Sequence, residues 1–152
     1  MEQDNKIESG SKRFAVIRVR GLTGLRTKVE STLKMLRLYR KNYCCVLPGN
    51  PVYVGMIKQA KDYITWGEID DETFNMLVDK RGEEFKGRES DSKEKISYND
   101  FILINGKKLK KYFRLSPPRK GFGRKGLKHS FKESGALGYR GSAINELIKR
   151  MI

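Results

Sequence analysis

Strand-like and helix-like patterns alternate over the first 66 residues, and this alternation restricts the fold more than any other feature of the sequence. Residues 14–19, 43–47 and 63–66 have the residue types and the alternation of strands. Residues 27–36 and 52–60 carry apolar side chains at helical spacing, and the connections between segments are short. The order β-α-β-α-β predicts an α+β fold in which a small sheet carries helices on one face.

The first helix has a recognisable start. Thr27 followed by Glu30 has the spacing of a capping box, so we expect the helix to begin there. Lys34, Arg37 and Lys41 are expected to gather on a polar face of the same helix. Such a face either binds a polyanion or is simply solvated.

Two further helices are predicted downstream. Asp70 or Asp71 can cap a helix that ends at Gly82. Ser142 can cap a final helix with a strong apolar repeat, which predicts that the C-terminal segment is docked on the core. The repeat consists of Ile144, Leu147, Ile148 and Met151.

The remaining segments carry less specific patterns. Residues 1–12 are polar and predicted to form a flexible N-terminal extension, whereas 13–152 read as a single domain. Residues 83–95 are predicted to be a polar surface excursion. Residues 98–104 are apolar and compatible with a helix or a strand, and 112–115 indicate a short strand.

Charge gives the clearest indication of a partner. The chain has 33 Lys and Arg against 18 Asp and Glu, for a net charge of +15. Residues 101–132 hold 11 basic residues and no acidic one, with aromatic residues and glycines interspersed. Because self-repulsion of this size opposes compaction, we expect a polyanionic partner that offsets it, and nucleic acid is the leading candidate.

Several classes of protein do not fit the sequence. No apolar stretch is long enough to span a membrane, and residues 1–13 lack the apolar core of a secretory signal. Cys44 and Cys45 are adjacent, so we interpret them as buried strand residues rather than a disulfide or a zinc site. His129 has no cysteine or acid at the spacing of a catalytic triad.

Acidic residues cluster between 62 and 72, where a metal site or an acid–base pair is conceivable. Helix capping and charge balance explain most of them, and we expect no metal, no cofactor and no catalysis. The cluster consists of Asp62, Glu68, Asp70, Asp71 and Glu72.

A glycine motif invites a nucleotide-binding interpretation that its context disfavours. Residues 121–126 match G-x-G-x-x-G, and Glu146 follows 20 residues after Gly126. A dinucleotide site needs this motif between a strand and the helix that it opens. Here two prolines precede it and no amphipathic pattern follows, so we expect a basic loop whose glycines let its backbone approach phosphates.

Five segments together resemble the universal large-subunit ribosomal protein L-thirty family in its archaeal form, whose eukaryotic counterpart is called L-seven. The resemblance covers about Arg13 to Ile152. The segments are FAVIRVRG (14–21), MLRL (35–38), AKDYITWGEID (60–70), FRLSPPR (113–119) and GALGYRG (135–141).

The resemblance implies a small antiparallel sheet built from the β-α-β-α-β core and related to the ferredoxin-like arrangement. Residues 13–68 would form this core, and 69–152 a helical and loop-rich basic extension of archaeal and eukaryotic type. It also implies a structural, non-enzymatic constituent of the cytoplasmic ribosome that takes no small-molecule substrate.

The implied partners are large-subunit ribosomal RNA, 5S RNA and neighbouring large-subunit proteins. The expected RNA-binding residues lie after the first strand, along the first helix, in the basic run and in the Gly-Tyr-Arg-Gly turn. They are Arg20, Arg26, Lys28, Arg37, Arg40, Lys41, Arg114, Arg119, Lys120, Phe122, Arg124, Lys125, Lys128, Lys132, Tyr139 and Arg140. Phe122 and Tyr139 are expected to stack on exposed bases.

Two other functions remain open at this point. A free-standing RNA-binding factor in ribosomal RNA maturation would share all of this charge and aromatic content. A nucleotide-dependent enzyme would have to use the loop at Gly121.

Overall fold

A five-stranded sheet forms the centre of the protein in a computed structural model that describes residues 12–152. Its strands are β1 (Arg13–Arg18), β2 (Tyr43–Pro48), β3 (Ile64–Glu68), β6 (Phe113–Arg114) and β7 (Gly138–Tyr139), in the order β6-β2-β1-β3-β7. A separate hairpin consists of β4 (Phe101–Ile104) and β5 (Lys107–Lys110). The helices are α1 (Thr27–Met35), α2 (Pro51–Gln59), α3 (Asp71–Arg81) and α4 (Ala143–Met151), with a 3-10 turn at Phe131–Glu133.

The predicted β-α-β-α-β order and the antiparallel sheet are confirmed. β1 pairs antiparallel with β2 and with β3, and β2 pairs antiparallel with β6. The exception is β7, which runs parallel to β3 with Thr65 opposite Gly138. The flexible extension predicted for residues 1–12 falls, apart from Lys12, outside the described residues.

Helices cover both faces of the sheet. α1 and α2 pack on one face, where Val16, Leu33 and Ile57 are buried. The two helices of the β-α-β-α-β core therefore share one face of the sheet, as predicted. α3 and α4 pack on the other face, where Leu77 and Leu147 are buried. β1 is therefore apolar on both sides, because each side faces a helical layer.

The start of α1 was predicted correctly, but for the wrong reason. Thr27 is the first helical residue and Arg26 precedes it as the cap, with no side-chain hydrogen bond at the cap. Glu30 pairs instead with Lys34, with 2.8 Å between carboxylate and ammonium. The helix ends at Met35, and Arg37 has a left-handed φ of 60°. The expected polar helix face is therefore wrong, because Arg37 and Lys41 lie beyond the helix.

The apolar segment before residue 105 is a strand of the hairpin. Asn105 and Gly106 form its turn with φ of 51° and 74°, the left-handed pair that a tight hairpin needs. Ile102 lies opposite Leu109, and both are buried. Residues 83–111 form an arm around this hairpin, with Phe85 stacked on Phe101.

The docked C-terminal helix is confirmed. Ile144, Leu147, Ile148 and Met151 are fully buried, as the predicted repeat requires. The start of α4 lies so close to β3 that a Cβ on Gly67 would stand 2.9 Å from the Ile144 side chain and 2.1 Å from the carbonyl oxygen of Gly141, which precedes the helix.

Candidate nucleic-acid interface

Two long connections open and close at one end of the sheet. β1 finishes there and β2 starts there, because Ile17 lies opposite Cys44. β6 finishes at the same end, since Tyr43 lies opposite Arg114, and β7 starts there, since it runs parallel to β3. Residues 19–42 and 115–137 therefore emerge side by side. We call these two connections the basic end.

The basic end carries most of the predicted RNA-binding residues. Its two connections contain 13 Lys and Arg and only Glu30 and Glu133 as acids. The cations below are exposed and form no salt bridge within residues 12–152. They are Arg26, Lys28, Arg40, Lys41, Arg119, Lys120, Arg124, Lys125, Lys128 and Lys132. Cations without a carboxylate partner are the ones available to phosphates.

A buried arginine lies beneath the first connection. Arg18 is 2% exposed, and its guanidinium donates to the carbonyls of Arg20 (2.9 Å) and Gly21 (3.0 Å) on one side. On the other side it donates to the carbonyls of Leu38 (2.7 Å) and Tyr39 (3.2 Å). Burial lowers the pKa of Arg18, with a smaller opposing effect of Glu30. Arg18 thereby joins the segments before and after α1.

The second connection is fastened to the end of α4. The Arg150 guanidinium donates to the carbonyls of Arg119 (3.0 Å) and Gly121 (2.9 Å), and the Arg119 amide donates to the Arg150 carbonyl (3.1 Å). The amide of Ser116 donates to the carbonyl of Met151 (3.0 Å), so loop amides pair with carbonyls that a helix end leaves open. Lys120 adopts a left-handed φ of 65° in this turn.

Arg37 and Arg114 differ from the expected free cations. Arg37 donates to the carboxylate of Asp100 (2.8 Å) and to the carbonyl of Asn99 (2.9 Å) in the arm. Arg114 pairs with Glu83, which also accepts from Lys110 (2.8 Å). The arm carboxylates therefore neutralise part of the basic surface on that side.

Phe122 and Arg140 pack against other parts of the protein. Phe122 is half-buried against Val19 and Leu137, so its ring anchors the loop to the core. Arg140 is 7% exposed and donates to Thr65 Oγ1 (2.8 Å) and to the carbonyls of Phe122 (3.1 Å) and Ala136 (3.0 Å). Burial lowers the pKa of Arg140 to about 10, with a smaller effect of nearby Arg150. Both side chains are therefore occupied by contacts within the protein.

Tyr139 and Arg20 are the remaining predicted contacts. Tyr139 is 48% exposed beside Trp66, with 6.4 Å between ring centroids, and it borders an apolar cleft under α2. The guanidinium of Arg20 lies 4.9 Å from the Tyr63 ring centroid and donates to the carbonyl of Asp62. Both side chains remain accessible to a ligand.

Acidic residues follow β3 at the opposite end of the sheet. Asp71 pairs with Arg13, and Glu72 pairs with Lys149 at 3.5 Å. Within residues 12–152, no group of three or more His, Cys, Asp or Glu side chains is arranged to hold a metal. Charge pairing thus accounts for two members of the acidic cluster.

The two cysteines lie in a strand and are buried, as the sequence indicated. Cys44 and Cys45 are buried free thiols, and burial raises the pKa of Cys44 to about 12. The glycine motif at 121–126 follows β6 after an irregular segment and opens no helix, so it lacks the context of a dinucleotide site. Among the described helices, none combines the length and the apolar character needed to cross a membrane.

Arg18 and Arg150 were not singled out from the sequence. A signal for Arg18 exists, since it is the one charged residue inside the apolar run FAVIRV. A lone arginine in a strand that is apolar on both faces must find internal acceptors. Arg150 carries no such signal, because it lies in the last turn of a helix, where basic residues are common.

Comparison with known proteins decides the family. A curated protein of Nanoarchaeum equitans, named large ribosomal subunit protein uL30, is 47% identical over 91% of this chain and 98% of its own length. The chain belongs to the uL30 family. Curated uL30 proteins of Methanosphaera stadtmanae and Methanopyrus kandleri are 42% and 44% identical over 91% and 88% of this chain. They are covered over 99% and 100% of their own lengths.

The uL30 assignment confirms the resemblance drawn from the five segments. The family model described as ribosomal protein L30p/L7e matches residues 14–64. This stretch runs from β1 to the first residue of β3 and contains the first connection of the basic end. The three relatives are archaeal, in agreement with the archaeal form expected from the motifs.

Proposed function

We propose that this uL30 family member is a structural, non-catalytic constituent of the cytoplasmic large ribosomal subunit that binds ribosomal RNA through its basic end. The relatives' shared name supports the ribosomal part of this proposal. The observation that carries the RNA-binding part is the convergence of residues 19–42 and 115–137 at one end of the sheet. Unpaired cations on adjacent connections match the spaced negative charges of an RNA backbone.

The proposed contact set follows from exposure and pairing. It keeps the ten unpaired cations of the basic end and adds Arg20 and Tyr139. Arg37 and Arg114 are secondary contacts, because Asp100 and Glu83 already compete for them. Phosphate contacts of this kind give affinity without sequence choice, and the exposed ring of Tyr139 can stack on an unpaired base.

Fractionation of native lysate tests the ribosomal role. We expect the chain in near-stoichiometric amounts in large subunits on sucrose gradients at both moderate and high salt. Recovery only from precursor particles would favour a maturation factor, and recovery at the top of the gradient would contradict a ribosomal constituent.

Binding of the purified chain to isolated RNA tests the interface. The logarithm of affinity should fall steeply with the logarithm of salt concentration, because each neutralised phosphate releases counterions. Large-subunit RNA and 5S RNA are compared separately. A slope near zero for both would contradict the proposed interface, and binding to one alone identifies the partner.

A further inference from the structure

Three arginines behind the basic end direct their guanidinium groups mainly at main-chain carbonyls, and Arg150 in addition has its Nε atom 3.9 Å from a carboxylate oxygen of Glu146. Arg18 donates to four carbonyls that flank α1, Arg150 to two in the second connection, and Arg140 to two more there. Each of these carbonyls belongs to residues 20–39 or 119–136, which lie within the two connections of the basic end. A planar guanidinium with five N–H donors in fixed directions is suited to hold several carbonyls at once.

Arg150 illustrates how this arrangement shapes the surface. Its two acceptors, the carbonyls of Arg119 and Gly121, lie on either side of Lys120. Lys120 has a φ of 65°, a conformation that a non-glycine residue holds only when its surroundings enforce it. The carbonyls are thus turned inward to Arg150, and the Lys120 side chain remains exposed.

Arg140 fixes the other part of the same loop. Its Nη2 atom donates to the carbonyls of Phe122 and Ala136, which belong to the first and last parts of the second connection. Its Nε atom donates to Thr65 of β3, and its guanidinium lies 4.6 Å from the Phe131 ring centroid. One side chain thus connects the second connection to the sheet by hydrogen bonds.

We propose that Arg18, Arg140 and Arg150 are positioning residues that hold both connections in their RNA-binding conformation before RNA arrives. This inference rests on the proposed function, and it assigns the three arginines a role other than phosphate contact. A surface that is ordered beforehand loses less conformational freedom on binding, so it binds more tightly with the same contacts.

Arg150 is the best residue for the test, because its side chain is 28% exposed and belongs to none of the hydrophobic clusters. Arg150→Lys keeps the charge but lacks the fork that spans two carbonyls. We expect RNA affinity to fall about tenfold at every salt concentration, with the salt slope unchanged. Hydrogen exchange at the amides of Gly121 and Lys125 should accelerate in the free protein.

Arg88→Lys and Arg124→Gln are the comparison variants. Arg88 is exposed, lies in the arm outside the basic end and forms no salt bridge within residues 12–152, so Arg88→Lys should leave RNA affinity unchanged. Arg124→Gln should lower the salt slope by about one without changing amide exchange. Arg140→Lys serves as a second positioning variant and should behave as Arg150→Lys does.

The outcomes separate the two proposals. If the unmodified chain does not bind RNA, the proposed function fails. If it binds and Arg150→Lys matches it in affinity and exchange, the positioning role is wrong. If Arg150→Gln lowers the salt slope as Arg124→Gln does, while Arg150→Lys does not change affinity, Arg150 is a direct phosphate contact.

Discussion

Arg140 donates a 2.8 Å hydrogen bond from its Nε atom to the hydroxyl of Thr65, a residue 75 positions earlier in the chain. The Thr65 hydroxyl in turn donates a hydrogen bond to the carbonyl of Gly138 at 2.9 Å. Both residues are buried, so neither group has water as an alternative partner. The two residues thus connect β3 to the chain at the end of the second connection.

Replacing Thr65 tests that connection. Thr65→Val keeps the shape but leaves the Arg140 Nε donor and the Gly138 carbonyl without this partner, so we expect a loss of about 1–3 kcal/mol in the free energy of unfolding. Urea denaturation measures it. Thr65→Ser retains the hydroxyl and should lose less. Equal losses in the two variants would show that the hydroxyl network contributes nothing.

Glycines 67 and 55 form a pair with opposite expectations. Gly67→Ala places a methyl group 2.1 Å from the Gly141 carbonyl oxygen and 2.9 Å from Ile144, so it should destabilise the protein by about 3 kcal/mol. Gly55 lies inside α2 with open space around its Cβ position, and Gly55→Ala should stabilise by about 0.5–1 kcal/mol. Thermal and urea unfolding of both variants give the comparison. Destabilisation by Gly55→Ala would contradict the open surface there.

The Glu83 carboxylate should make stability depend on pH. The hydrogen bond from Lys110 lowers the pKa of Glu83 most, burial opposes it, and Arg114 lowers it further. A lowered pKa in the folded state means that this stabilisation is present above the ordinary value of 4.5 and is lost as pH falls through the folded value.

Glu83→Gln should therefore cost up to about 1 kcal/mol at pH 7 and much less at pH 3. Urea unfolding at the two pH values measures the difference. Glu84→Gln is the control, because Glu84 forms no ion pair within residues 12–152. Equal pH profiles for the Glu83 variant and the parent protein would refute the coupling.

Four loop cations offer a direct test of the proposed RNA-binding surface. Replacing Arg119, Lys120, Arg124 and Lys125 together by Ala should lower the salt slope of RNA binding by about one for each lost phosphate contact. The melting temperature should change little, because these side chains are exposed. A control with the same change in net charge replaces Lys80, Lys86, Arg88 and Lys93, which lie outside the basic end. Equal effects of the two sets on the slope would show that net charge alone governs binding.

Local sequence patterns predicted those strands and helices whose apolar faces are buried. β1, β2, β3 and α4 were found because their apolar periodicity reports the faces that they bury. The strand Lys107–Lys110 was missed, since a run of lysines conceals the single inward residue Leu109. The Asn105-Gly106 pair that precedes it is the signal that identifies the hairpin.

The candidate site could be predicted in composition but not in arrangement. The sequence indicated which segments are cationic, but the partners of Arg37 and Arg114 lie 63 and 31 positions away. The sequence does not distinguish Arg140 from the exposed arginines among the expected contacts. Arg140 is buried because β7 pairs with β3. Pairing and burial of this kind depend on tertiary structure, which no local pattern contains.

Positive charge is concentrated at one end of the sheet, because the two connections of the basic end contain 13 Lys and Arg and two acids. If the basic end binds RNA as proposed, the field of that polyanion exerts a torque on this asymmetric charge and turns the basic end towards the RNA before any atoms touch. A larger share of collisions then begins in the productive orientation, and added salt slows association by shortening the range of that torque.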